Sequence, residues 1–91
     1  MALIPKGYKQ IDSATLATAQ SLTVPAGSTC ALVQAEAIAV RWRDDGTDPT
    51  ASVGEKVIAE GDIWVEGAAR LAAFRVIRTV AGADVNVSYY T

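Results

Sequence analysis

The chain of 91 residues has no histidine and a single cysteine, Cys30. Without imidazole there is no Ser-His-Asp or Cys-His arrangement, no histidine metal ligand and no general base of the commonest kind. One cysteine excludes an internal disulfide and a cysteine-based zinc site, and leaves Cys30 as an expected small buried hydrophobe. Lys6, Lys9 and Lys56 stand at no spacing that favours a Ser-Lys pair. No run of about 18 apolar residues occurs, so no membrane-spanning helix and no membrane partner are expected. The opening Met-Ala-Leu-Ile-Pro-Lys-Gly lacks a charged segment followed by a long apolar core. It is therefore not expected to be a secretory signal, and the protein is expected to stay in a cytosol until it is assembled. Basic charge is also scarce, with 8 Lys and Arg against 10 Asp and Glu and a net charge of −2. That balance argues against a nucleic-acid partner, although Arg41, Arg43, Arg70, Arg75 and Arg78 leave a local cluster open.

What is present is short alternation broken by Gly and Pro. A chain of this length forms one domain and buries only ~60–65% of its unfolded surface, so a single thin core is expected. The clearest stretch runs from Val40 to Thr50, Val-Arg-Trp-Arg-Asp-Asp-Gly-Thr-Asp-Pro-Thr. Val40 and Trp42 fall on one face of a strand, Arg41 and Arg43 on the other. Asp45-Gly46 then offers a turn, and Pro49 bars immediate continuation.

Taken in order, residues 1–8 read as an arm, because Pro5 and Gly7 break regular structure while Met1, Leu3 and Ile4 are apolar. Tyr8 to Ile11 suits a short edge strand. Asp12 to Gln20 fits either a helical turn capped by Asp12 or Ser13, or a strand. Ser21 to Val24 is a strand, and Pro25 to Ser28 turns the chain. Ala31, Val33 and Ala35 form a purely apolar face, expected inward. Ile38, Val40 and Trp42 continue the core in a different phase, which predicts a β-bulge near Glu36-Ala37. Glu55 to Glu60 alternates weakly around Val57 and Ala59, Ile63 to Glu66 is a short strand, and Val85, Val87 and Tyr89 alternate with Asn86, Ser88 and Tyr90. Ala68 to Ala81 is ambiguous: Leu71, Phe74 and Ile77 have helical spacing, whereas Ala73 to Val80 also reads as a strand. The expected fold is an antiparallel β-sandwich of seven to nine strands. Its expected core is Val33, Val40, Trp42, Val57, Trp64, Phe74, Val76, Val85 and Val87.

Asp44, Asp45 and Asp48 suggest a calcium loop, but their spacing misses the usual pattern and no bidentate Glu follows. A solvated turn without metal is the expectation. Trp42 and Trp64 are expected in the core, and only outward-facing tryptophans would favour glycan recognition. Arg41 and Arg43 suit pairing with acidic residues, or an interface, where Arg is enriched.

Gln34-Ala35-Glu36 and Val40 through Gly54 resemble a family of small structural proteins of tailed bacteriophages and prophages. The resemblance resumes at Ala73-Phe74-Arg75-Val76-Ile77 and in the ending Val85-Asn86-Val87-Ser88-Tyr89-Tyr90, and leaves residues 1–20 outside it. It implies a compact β-sandwich or jelly-roll-like fold, a virion location and no enzymatic activity; with residues 1–8 as an arm, the expected domain is residues 9–91. It also implies a strand across Phe-Arg-Val-Ile. The expected function is a capsid decoration (cement) protein, a homotrimer bridging the major capsid protein or another virion protein. The alternative is a tail-fibre, spike or neck module recognising a glycan or another virion protein. A small metal-dependent enzyme is disfavoured by the missing imidazole ligands. No cofactor is expected. The interface candidates are Leu3 and Ile4 of the arm, with Arg41, Arg43, Asp44 and Asp45 of the turn.

Overall fold

Period-two alternation along the chain becomes eight strands in a computed structural model that describes residues 3–91. They are β1 (Pro5–Ile11), β2 (Gln20–Ser21), β3 (Cys30–Glu36), β4 (Val40–Arg43), β5 (Glu55–Val57), β6 (Asp62–Glu66), β7 (Arg75–Arg78) and β8 (Asp84–Tyr90). One short helix, α1 (Ala68–Ala73), and a 3₁₀ turn at Thr15–Ala17 complete the elements. The strands form two four-stranded sheets in the orders β1-β8-β3-β6 and β2-β7-β4-β5, with every pairing antiparallel. This is the strand order of a jelly roll, in which the chain passes repeatedly from one sheet to the other.

The expected inward sets meet between the sheets. Ala31, Val33 and Ala35 of β3 and Val85, Val87 and Tyr89 of β8 are buried against Val40, Val57, Phe74 and Val76. Each large apolar side chain there contributes up to ~1.5–3 kcal/mol of transfer free energy. Leu16, Leu22 and Leu71 bring loop and helix residues into the same core. Cys30 is buried and unpaired.

Several local expectations change. Trp64 is not in the core but 46% exposed, while its neighbour Val65 is fully buried. Ile63-Trp64-Val65 is apolar throughout, so its pattern carries no phase. The register Ala31↔Val65 and Val33↔Ile63 fixes the phase by pairing with the inward set of β3. Trp42 only packs against the core, partly buried. The phase change near Glu36-Ala37 is no bulge. There β3 leaves one sheet and β4 enters the other, so the inward direction reverses, with Ala37 at φ 71° and Ile38 N–H donating to Glu36 O at 2.9 Å.

Both readings of residues 68–81 contribute. The helix ends at Phe74, whose ψ of 134° is already extended, and β7 follows at Arg75 instead of Ala73. The strand after residue 20 is shorter than expected, ending at Ser21, and Ala59 is exposed. Of the two readings open for residues 12–20, the helical turn forms as 3₁₀ at Thr15–Ala17 and only Gln20 joins a strand. Asp12 Oδ1 accepts from Thr15 N–H at 2.9 Å, and that bond lowers the Asp12 pKa.

Finally, Pro5 and Gly7 do not break the arm. Both lie in the edge strand β1, where a register irregularity between them absorbs the mismatch against β8. Proline is tolerated at the first residue of an edge strand. Met1 and Ala2 lie outside the described residues.

Candidate functional site

The β4 strand delivers Arg41 and Arg43 to the turn at Asp44–Asp48, where three carboxylates meet three guanidinium groups. Arg43 grips Asp45 twice, with Nη2 donating to Oδ2 at 2.5 Å and Nε to Oδ1 at 3.1 Å. Thr47 N–H also donates to Asp45 Oδ1. The Arg43 guanidinium, helped by Thr47, holds the Asp45 carboxyl below the usual carboxylate range. Arg70 of α1 donates to Asp44 at 2.8 Å, and Arg75 at the start of β7 lies 3.8 Å from Asp48. Of the five arginines that the sequence left open as a cluster, Arg43, Arg70 and Arg75 therefore gather around the chain's own acids, while Arg78 donates to Ser13 away from them.

Arg41 serves the same loop differently. Its Nη1 donates to Gly54 O at 2.9 Å and its Nε to Ala51 O at 3.3 Å, pinning the segment after the turn. Pro49 is buried, and Thr50 exchanges backbone bonds with Val53. Beneath the turn, Trp42 stacks on Phe74 with ring centroids 5.3 Å apart and planes at 16°. An open hollow of about 490 Å³ lies here, lined by Trp42, Arg43, Asp44, Asp45, Gly54 and Glu55. Asp45 and Asp48 are exposed and Asp44 is half-buried. Among the described residues, no group of three or more His, Cys, Asp or Glu is placed to hold a metal ion. The turn is thus braced by ion pairs of its own, close for Asp44 and Asp45 and looser for the exposed Asp48.

The other two interface candidates stand elsewhere. Leu3 and Ile4 are 50% and 58% exposed. The backbone of Ile4 is held by reciprocal bonds with Thr91, each of 3.0 Å. Ile4 is therefore displayed from a fixed backbone, with Leu3 next to it, apart from the arginine–aspartate turn in the pairing scheme.

A third surface was not singled out by sequence reasoning. The outer face of β1-β8-β3-β6 carries Tyr8, Ser88, Leu32 and Trp64 in one cross-strand row and Gln10, Asn86, Gln34 and Asp62 in the next. Asn86 lies at the centre of a polar network. Its Oδ1 accepts from Tyr8 Oη at 2.6 Å and from Gln10 Nε2 at 3.3 Å. Its Nδ2 donates to Gln34 Oε1 and Glu36 Oε2, both at 3.3 Å. The signal available in sequence was the polar face of β8, Asn86-Ser88-Tyr90, but its partners come from strands far away along the chain.

No protein-family model, curated protein or solved structure matches the chain. The fold and these three surfaces are what a functional reading has to work from.

Proposed function

We propose that the chain is a non-enzymatic structural protein of a tailed-phage particle, a capsid decoration protein that attaches as a trimer across joints between major capsid subunits. The observation that carries this reading is the chain-end corner, where Leu3 and Ile4 are exposed and the backbone of Ile4 is pinned to Thr91. Two apolar side chains held in place bind at lower entropic cost than the same residues on a loose tail. Each contributes up to ~1.5–3 kcal/mol on burial before ordering costs, and repetition around a symmetric particle multiplies a weak contact through avidity. The resemblance of the Val40–Gly54 and Val85–Tyr90 stretches to phage structural proteins supports the same reading. So does the chemistry of the turn, where every aspartate lies against an arginine and no histidine exists to activate a nucleophile. Jelly rolls serve capsid and lectin domains alike, so the fold by itself does not select between them.

The test is a Leu3→Ser, Ile4→Ser double variant added to particles lacking the protein. These exposed positions should change folding stability by no more than about 0.5 kcal/mol. Occupancy on the particle should fall about tenfold or more at limiting protein concentration, the equivalent of losing ~1.4 kcal/mol of binding. Undiminished decoration by a normally folded variant would overturn the proposed attachment.

A further inference from the structure

The geometry points to a saccharide site on the outer face of β1-β8-β3-β6, one that takes an uncharged, hydroxyl-rich oligosaccharide. It does not depend on where the protein sits on a particle. The face has two aromatic walls. Tyr8 on the edge strand β1 is 63% exposed and Trp64 on the opposite edge strand β6 is 46% exposed. They occupy the two ends of one cross-strand row, Tyr8↔Ser88, Ser88↔Leu32 and Leu32↔Trp64. Neighbouring strands lie ~4.8 Å apart, so the walls are separated by roughly 14 Å across three strand gaps. A hollow of about 420 Å³ opens beside Tyr8 over Ser88, Leu32 and the amide row, and Trp64 stands beyond Leu32 at the far end of the row, outside its lining. Trp64 is braced from behind by Tyr90, at 5.7 Å between centroids and 48° between planes.

The floor beside that row is made of amides. Asn86 uses both lone pairs and both amide hydrogens on its neighbours and Gln10 both its amide hydrogens, which leaves the Gln10 carbonyl to accept from sugar hydroxyls and the Gln34 amide hydrogens to donate to them. Their bonds to one another and to Tyr8 and Glu36 fix the side chains before any ligand arrives, which reduces the ordering cost of binding. Flat rings would cover the apolar C–H face of a sugar while the amides meet its hydroxyls, the division of labour expected of a small-molecule site.

Charge selects the class of sugar. The hollow holds two carboxylates, Glu36 and Asp62. The lysines of β1 turn away from it: Lys9 donates to Thr23, and the Lys6 ammonium lies by Gly27. An acidic floor without a facing cation repels phosphates, sulfates and uronates, and admits neutral sugars.

The full chain would be titrated with cellohexaose, chitohexaose, maltohexaose and mannohexaose, and in a separate arm with a hyaluronan oligosaccharide. The readout is nuclear magnetic resonance of the Gln10, Gln34 and Asn86 side-chain amides and the Trp64 indole N–H. At least one neutral hexasaccharide should shift these signals with a Kd of about 1 mM or tighter, and hyaluronan should not. Trp64→Ala, and separately Ser88→Trp to fill the valley, should each weaken binding about tenfold or more with the melting temperature retained. The proposal fails if no neutral hexasaccharide shifts the signals at about 10 mM, or if hyaluronan binds as well. It fails equally if both variants bind as the parent does, or if the shifts map to Trp42 and its hollow. Self-association through this face, lost in Trp64→Ala and unaccompanied by any saccharide response, would assign the face to a second copy and overturn the proposal.

Discussion

Tyr89 shows what a single buried residue contributes. Its ring faces inward from β8 and is almost wholly buried, and burial pushes the phenol up from its ordinary value, with a backbone hydrogen bond at Thr23 opposing the shift in part. A folded pKa above the unfolded value favours the neutral form in the native state. The associated stability is fully present below the unfolded value of about 10 and is lost as pH rises through the higher folded value. Melting temperatures of the parent should therefore fall off as pH rises above about 10, and Tyr89→Phe should flatten that decline. Near neutral pH the same variant should differ by about 1 kcal/mol or less, since only one hydroxyl is removed. An identical alkaline decline in parent and variant would show that Tyr89 does not carry it.

At the scale of elements, the braced loop after β4 shows how a turn sequence becomes a fixed shape. Gly54 has a φ of 136°, and a Cβ added there would lie 3.0 Å from Pro49 Cβ and 3.1 Å from the Trp42 carbonyl oxygen. Gly46, at φ 81°, would meet nothing within 4 Å. Gly54→Ala should cost about 1–3 kcal/mol through strain and crowding together. Gly46→Ala should cost only about 1 kcal/mol, because the backbone preference alone is violated. Thermal denaturation of the two variants checks the order, and equal melting temperatures would contradict the packing described for the loop.

The elements also show what the sequence made readable. The inward face of β8 was legible because Asn86 and Ser88 mark its opposite face between Val85, Val87 and Tyr89, and that of β3 because Ala31, Val33 and Ala35 make it wholly apolar while Gln34 and Glu36 stand on the other. The phase of β6 was not, because Ile63, Trp64 and Val65 are all apolar and only pairing with β3 decides it. Residues 68–78 defeated a single assignment because Leu71 and Phe74 obey helical spacing while Phe74 and Val76 obey strand spacing, and the chain changes conformation at Phe74. The acids and arginines of residues 41–48 were evident as a cluster. Their partners Arg70 and Arg75 were not, since tertiary structure alone brings α1 and the start of β7 to the turn. The polar outer face was least legible, because Tyr8, Gln34, Asn86 and Trp64 come from four strands that only the final register aligns.

On the scale of the whole molecule, a two-sheet sandwich with a thin core leaves its recognition chemistry on its surfaces. The chain-end corner, the arginine–aspartate turn and the amide-lined sheet face each display different chemistry. Decoration of a capsid through the chain-end corner is the function proposed for the molecule. The most direct measurement is an electron-microscopy map of the purified particle that resolves this chain. The account predicts three copies around each occupied symmetry axis of the shell, with Leu3 and Ile4 of every copy buried against capsid protein. A map that places the chain only at the neck or tail, or on the capsid with Leu3 and Ile4 facing solvent, would contradict it.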